Sequence, residues 1–433
     1  MTEQMKPSRI GWIGDIPTNW KCSKVKFCFS LVNGSTPESS DYDCWDGDIK
    51  WITPADMSDT GTISQGERFI TKYGYNSCGT TLLPVGSIVI SSRAPIGKIN
   101  ITTAELCTNQ GCKSLIRNAD NRYFYYLFLA GQNELSLLGR GTTFLELSTY
   151  DLNEFGIVIP AEDEQKAIAD FLDKECTQID SIAADLETQI ALLQQYKKSL
   201  ITETVTKGLN KSVPMKDSGV ACIGLVPMSW GYKKLGYMAD VTKLAGFEFT
   251  NYFEYVDDGV IAIRGLNLKN FDVSLADIQY IPEKTSNMLP RSQVHYNDVL
   301  VSYAGTVGSV GLITDTAKRY HLAPNVGKVT VFSELIPRYL AYYLISYTGQ
   351  ELIDQLKNKN AQESISMENI RRIKILVPPQ IEQQNICDYL DKKTGEIDTL
   401  IDAQQKKLEL MQAHKKSLIY EYVTGKKRVK EVR

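Results

Sequence analysis

The chain has 433 residues, too many for one ordinary hydrophobic core, so two or more domains are expected. With 43% hydrophobic and 23% charged residues it falls in the globular class, and it lacks the run of about 18 apolar residues that a membrane span needs. The formal net charge of −3 does not advertise a nucleic-acid binder, and the acid excess falls on residues 147–211 rather than on the larger flanking blocks.

The chain opens on a polar stretch, residues 1–10, which argues against a secretory leader. Ile13-Gly14-Asp15-Ile16-Pro17-Thr18-Asn19-Trp20 follows as a compact opening motif. A first large block then shows short β-rich runs closed by turn residues, at 48–53 and 87–91, and ends in an apolar helix near 123–138. Residues 160–206 read as a long helix in which Ile179, Ile182, Leu186, Ile190, Leu193 and Leu200 recur at steps of three, four or seven. Ile223-Gly224-Leu225-Val226-Pro227-Met228-Ser229-Trp230 then repeats the opening motif. The second block has strand patterns at 260–263 and 299–302 and an apolar helix near 335–356. Last comes a second long helix, 378–424, with Ile397, Leu400, Leu408, Met411 and Leu418 at like spacing. Gly395 near its start is a local cost of about 1 kcal/mol and a candidate bend.

The two long helices are copies of each other. Residues 160–206 align with 378–424 without a gap, and 20 of the 47 positions are identical, including Lys197-Lys198-Ser199-Leu200-Ile201 against Lys415-Lys416-Ser417-Leu418-Ile419. Proline stands before each helix (Pro160, Pro378) and glycine after it (Gly208, Gly425), the positions that helix ends favour. About 40 residues make a rod of roughly 60 Å. The near-heptad stripe suits burial of rod against rod; the competing expectation is that each stripe packs on its own block. The aromatics Tyr123, Phe124, Tyr125, Tyr126 and Phe128, with Tyr339, Tyr342 and Tyr343, read as core at helical spacing rather than as base-stacking platforms.

Signals for chemistry in this chain are sparse. Nine cysteines are scattered with no C-x-x-C pair, and there are only three histidines, His295, His321 and His414, so neither disulfides nor a histidine-rich metal site is expected and a reducing cytoplasm fits. No P-loop is present, and Gly305, Gly308 and Gly311 are not spaced as a dinucleotide fingerprint. No Asn/Asp-Pro-Pro-aromatic tetrapeptide occurs. Glu162, Asp163, Glu164 and Lys166 imitate a nuclease cluster but stand where acids favour a helix N-terminus. A binding scaffold with two similar blocks is the reading that remains, ahead of a stand-alone methyltransferase or nuclease and of a coiled-coil assembly protein.

Certain motifs resemble a known family. Gly34-Ser35-Thr36-Pro37, the stretch Trp45-Asp46-Gly47-Asp48-Ile49-Lys50-Trp51, the segment Ser91-Ser92-Arg93-Ala94-Pro95-Ile96-Gly97-Lys98 and Thr108-Asn109-Gln110-Gly111 resemble a target-recognition domain of type I restriction–modification specificity subunits. The paired Pro160/Glu164-Gln165 and Pro378/Glu382-Gln383 are similar to the starts of that family's conserved helices. The resemblance covers essentially the whole chain. It implies an α+β fold of two tandem α/β target-recognition domains, 1–159 and 212–377. Two long helices, 160–211 and 378–433, would separate them and pair as an antiparallel coiled coil, a pseudo-twofold internal repeat. It further implies a non-catalytic subunit that reads a bipartite DNA duplex. Two methyltransferase (modification) subunits and restriction/translocase subunits would be its partners. S-adenosylmethionine, ATP and magnesium would bind in those partners and no cofactor in this chain.

The blocks differ in detail, which implies an asymmetric target. Cys222 replaces Trp12 of the first opening motif, and Thr306-Val307-Gly308 lacks the flanking Arg93 and Lys98 of block one. Candidate DNA contacts are polar loop residues able to reach base edges or phosphates. In block one these are Ser92, Arg93, Lys98, Asn109, Gln110, Arg140, Thr142 and Thr143; in block two, Lys243, Arg264, Asn267, Tyr303, Asn325, Lys359, Asn360 and Gln362. Each is also a residue type that turns and caps employ. Gly139-Arg140-Gly141 stands out as a basic loop.

Overall fold

The computed structural model describes residues 4–58, 61–93, 95–140, 145–269, 271–359 and 363–429. The chain divides into two compact units, Met1–Leu186 with Lys406–Arg433, and Glu187–Gln405. These units do not follow the sequence boundaries at 159/160, 211/212 and 377/378, because each takes a part of both long helices.

In the first unit the main sheet has the order Ser30–Asn33, Cys112–Ile116, Ile88–Ser91, Ile99–Thr102, Thr62–Ile63. Its central strand Ile88–Ser91 is buried on both faces, as its unbroken apolar run requires. A second sheet joins Cys107–Thr108, Trp45–Ile52 and Arg68–Ile70. Lys21–Lys24 pairs antiparallel with Gly156–Ile159, so the strand leading into the first long helix is tied to the start of the block. The predicted aromatic helix forms as Arg122–Ala130 and Gln132–Leu137, and Tyr123, Phe124, Tyr126 and Phe128 are core, with Tyr125 half-buried.

The second unit repeats the plan. One sheet runs Ala239–Lys243, Val326–Val331, Val299–Ser302, Val310–Leu312. Another runs Gln279–Ile281, Val260–Ile263, Tyr320–Leu322, Gln293–Val294. Gly231–Lys234 pairs antiparallel with Lys374–Val377. The aromatic helix is Pro337–Ile345, followed by Tyr347–Leu356, with Tyr339, Tyr342 and Tyr343 buried.

The long helices are Glu162–Lys207 and Gln380–Val423, and Gly395 lies within the second without interrupting it. In the first unit their ends run antiparallel: Asp180 bonds Lys415 at 2.6 Å, Phe171 packs on Tyr422, and Glu164 meets Arg428 at 2.7 Å. In the second unit Lys197 bonds Asp398 at 2.7 Å, the repeat mate of the Asp180–Lys415 pair. In the first unit the stripes hold Ile179, Leu186, Leu408 and Leu418 as buried residues and Ile182 and Met411 as half-buried ones; in the second, Ile397 is buried and Ile190, Leu193 and Leu200 are half-buried. Leu400 corrects the expectation: it is 53% exposed, and Ile401 beside it is half-buried. After Ile397 the inward step is four residues rather than three, a choice that helical spacing leaves open.

The competing expectation for the stripes also holds in part, because the helix ends sit in the block cores. Ile168, Leu172, Cys176, Leu418, Ile419 and Val423 share a cluster with the aromatic helix of the first unit. Ile201, Val205, Ile386, Cys387 and Leu390 do so in the second. The polar ties match. Trp20 Nε1 donates to Glu164 at 3.0 Å, as Trp230 Nε1 does to Glu382 at 2.9 Å. The Tyr123 hydroxyl is shared between the Val158 and Val423 carbonyls, and that of Tyr339 between Val205 and Leu376. Glu164 is thus a structural acceptor, as well as an acid in a first helical turn.

Magnitudes separate these ties. Tyr339→Phe removes a buried donor and is expected to cost about 1–3 kcal/mol. Lys415→Met removes a half-exposed ion pair and is expected to cost about 0–1 kcal/mol. Calorimetric unfolding of the two variants checks the order, and a larger loss for Lys415→Met would contradict it.

Candidate nucleic-acid interface

In the first unit four loop segments meet at the end of Ile88–Ser91. Ser91 Oγ donates to the Pro95 carbonyl at 2.7 Å and accepts from Lys98 N at 2.8 Å, forming a tight turn. The turn passes through Gly97 at φ 89°, a conformation that a side chain would strain. Gln132 Nε2 holds the Gly97 carbonyl at 2.8 Å. Next to this turn, Ser92 N donates to the Gly111 carbonyl and Leu147 N donates to the Ser92 carbonyl, both at 2.8 Å. The loop 109–111 and the segment 145–147 therefore clamp residue 92 from two sides. Asn109 Oδ1 accepts from Gly111 N at 2.9 Å, and Thr36 Oγ1 donates to Gln110 Oε1.

This clamp sets two arginines on one surface. Arg140 and Glu146 exchange backbone hydrogen bonds at 3.0 and 2.9 Å, and Arg93 pairs with Glu146 at 3.4 Å. The Arg140 guanidinium, 76% exposed, reaches the buried Asp151 at 2.9 Å; Asp151 is also held by Ser148. Both cations are tethered to carboxylates yet open to solvent. Gln110 is exposed beside them and Asn109 half-buried. Lys98 stands apart: its ammonium bonds the Met57 carbonyl at 3.3 Å and lines a cleft with Gln132, Asn133 and Lys415. Ser92 is corrected, since it is fully buried and its hydroxyl serves the Gln110 carbonyl. Thr142 and Thr143 lie outside the described residues.

The second unit builds the same frame with different side chains. Ser302 organises the turn to Ser309 through Gly308 at φ 92°, and Gln350 Nε2 holds the Gly308 carbonyl at 2.9 Å. Tyr303 N donates to the Asn325 carbonyl, and Ile365 N to the Tyr303 carbonyl, both at 2.8 Å. Asn358 and Ser364 exchange backbone bonds where Arg140 and Glu146 do in the first unit. Thus Tyr303 stands for Ser92, Ala304 for Arg93 and Asn358 for Arg140.

Around this frame the Lys243 ammonium lies 4.8 Å from the Tyr303 ring centroid. Asn325 is exposed at φ 71°. The Arg264 guanidinium is held by Asp277. Lys359 is exposed and pairs with Asp354 at 3.4 Å. Asn267 is corrected: it is fully buried, accepts from Arg264 N at 3.0 Å and donates to the Ser274 and Ala276 carbonyls. Asn360 and Gln362 lie outside the described residues. Lys243, Arg264, Tyr303 and Asn325 are brought to one end of the unit.

Sequence reasoning missed Glu146, Asp151 and Asp277, the carboxylates that fix the arginines, because their partners are distant in sequence or lie across a turn. It also missed the exposed aromatics Phe247, Phe249 and Tyr255, although their density between polar residues was a usable signal. As for nucleophiles, burial pushes the thiols of Cys107 and Cys112 up to about 11 and about 12, and Cys176 and Cys387 to about 11 and about 12, away from thiolate reactivity. Among the described residues no group of three His, Cys, Asp or Glu side chains is placed to hold a metal ion.

Comparison with known proteins places this architecture. The family model described as "Type I restriction modification DNA specificity domain" matches residues 17–192 and again 230–410. The MjaIX type I specificity subunit of Methanocaldococcus jannaschii is 39% identical over 37% of this chain and 38% of its own length. A putative MjaX specificity subunit from the same organism is 24% identical over 96% of both chains. Among solved structures, a chain from a study of assembly and conformational transition of the type I R-M system is similar with a TM-score of 0.72. It is 14% identical, and the match covers 94% of this chain and 98% of that one, a likeness of fold.

The buried Asn267 separates structural from surface roles. Asn267→Ala strands two carbonyls and the Arg264 amide, and should lower stability by about 1–3 kcal/mol in calorimetry. Asn325→Gly, on the exposed rim at a φ of 71° that glycine adopts without strain, should stay within about 0.5 kcal/mol of the parent.

Proposed function

Because the chain belongs to the type I restriction modification DNA specificity family, with two such domains in tandem, we propose that it is the sequence-reading, non-catalytic subunit of a type I restriction–modification complex. Each domain takes one half of a split, asymmetric duplex site. The observation that carries this reading is the shared frame with exchanged side chains: Arg93 and Arg140 in one unit, Ala304 and Asn358 in the other. A fixed frame keeps the docking mode, and different side chains at matched positions select different base edges. In the first unit Arg93, Arg140 and Gln110 are the contacts of choice; in the second, Lys243, Arg264, Tyr303 and Asn325.

The long helices carry the assembly role in this reading. The gapless repeat of 160–206 in 378–424 supports two equivalent docking sites for two modification subunits. Restriction subunits join that complex. S-adenosylmethionine, ATP and magnesium act in the partners, and the assembly works in the cytoplasm; no helix among the described residues is long and apolar enough to cross a membrane.

The test is a methylome of the source strain with and without the gene. One split, asymmetric motif should lose its methylation on deletion; an unchanged methylome would refute the assignment. In the assembled complex, Arg93→Ala with Arg140→Ala should weaken binding to that motif by tenfold or more, since a well-placed arginine contact contributes about 1–3 kcal/mol. Equal affinity of parent and variant in a titration would remove these residues from the interface.

A further inference from the structure

The two units differ where the first strand of each main sheet ends. In the first unit Gly34 and Ser35 lie flat on the 108–109 loop, with Ser35 N donating to the Thr108 carbonyl at 2.9 Å. A Cβ at Gly34 would collide with the backbone of Thr108 and Asn109, so this corner is filled. In the second unit the chain instead rises into a short helix, Gly246–Tyr252, that buries none of its residues. Phe247 is 66% and Phe249 40% exposed. Phe249 and Tyr255 each pack against Phe253, with ring centroids 5.4 Å apart, and Phe253 anchors them on the core.

The raised segment leaves an open cavity of about 420 Å³. Its apolar wall is Phe249, Tyr255, Leu266, Ala304 and Pro324, and its polar side chains are Arg264, Thr306 and Asn325. Arg264 and Asn325 belong to the candidate interface, so the cavity is continuous with it. Exposed aromatic surface of this kind marks a binding site. In the major groove the base edges offer donors and acceptors throughout, except for the C5-methyl of thymine, the one group that an apolar wall can select.

We propose that this cavity receives the C5-methyl edge of a thymine in the half-site read by the second unit, Phe249 and Tyr255 being the specificity-determining residues. The inference rests on the DNA-reading function above. The first unit, its corner closed, reads without such a pocket.

The test uses the full chain assembled with its modification subunits and duplexes carrying the motif found in the methylome. Uracil replaces thymine in each half-site separately, deleting only the methyl. Uracil in one half-site should weaken binding roughly fourfold, the free energy of burying one methyl-sized group expressed as an affinity ratio. In Phe249→Ala, and in Tyr255→Ala should the first fold poorly, thymine and uracil duplexes should bind alike in that half-site. A half-site without thymine, uracil tolerated in both halves, or a thymine preference that survives both substitutions would overturn the proposal. So would unchanged DNA binding with lost subunit assembly, which would assign the aromatics to a protein partner. Failure of the parent complex to prefer the motif over a scrambled duplex would instead strike the DNA-reading function itself.

Discussion

The last carbonyls of a helix have no partner inside the helix, and in this protein a buried tyrosine supplies one. Tyr123 reaches the carbonyl of Val423, the final residue of the second long helix, and Tyr339 reaches Val205 near the end of the first. Each hydroxyl also touches the strand that leads into a long helix, at Val158 or Leu376. One side chain therefore joins an aromatic helix, an outgoing strand and an arriving helix end. Trp20 and Trp230, fully buried and bonded to Glu164 and Glu382, close the same junction from the opening motif. The reading loops can vary because this junction fixes the block on the helices without them.

The frame beneath the loops follows a like economy of parts. A serine hydroxyl, a glycine in the left-handed region and a glutamine amide build the turn in both units. Backbone groups, rather than recognition side chains, perform the clamping. Residues 93, 110 and 140 in one unit and 243 and 325 in the other stay on the surface, with Arg264 half-buried beside them. The arginines are held by Glu146, Asp151 and Asp277, which orient the guanidinium groups within the free protein.

Much of this was legible in the sequence. The gapless repeat gave the tandem plan, and the helical spacing of Tyr339, Tyr342 and Tyr343 gave the buried aromatic helix. What stayed hidden has physical causes. Ser92 and Asn267 have the composition of surface contacts, but turns use serine and asparagine to satisfy backbone groups, and pattern does not distinguish the two uses. Leu400 was assigned inward because steps of three and four are equally helical, and only the packed partner decides between Leu400 and Ile401. The segment after Lys243 stands out in the sequence as a departure from Gly34-Ser35-Thr36-Pro37, but that glycine loop offers no template for placing Phe247 and Phe249 on the surface.

Residue numbering along the repeat carries a last consequence. Trp20 corresponds to Trp230, Ser91 to Ser302, Tyr123 to Tyr339 and Gln132 to Gln350, so the spacing between mates grows along each block. From Gln132 and Gln350 onward it stays constant, through the capping pair Ser148 and Ser366 and along the helices to Thr206 and Thr424. One inserted residue in a long helix would rotate everything beyond it by about 100° and turn the stripe away from its partner. Upstream loops absorb the differences in length between the two blocks, while residues 132–206 keep one offset from 350–424, the helical part of which needs it to hold its phase.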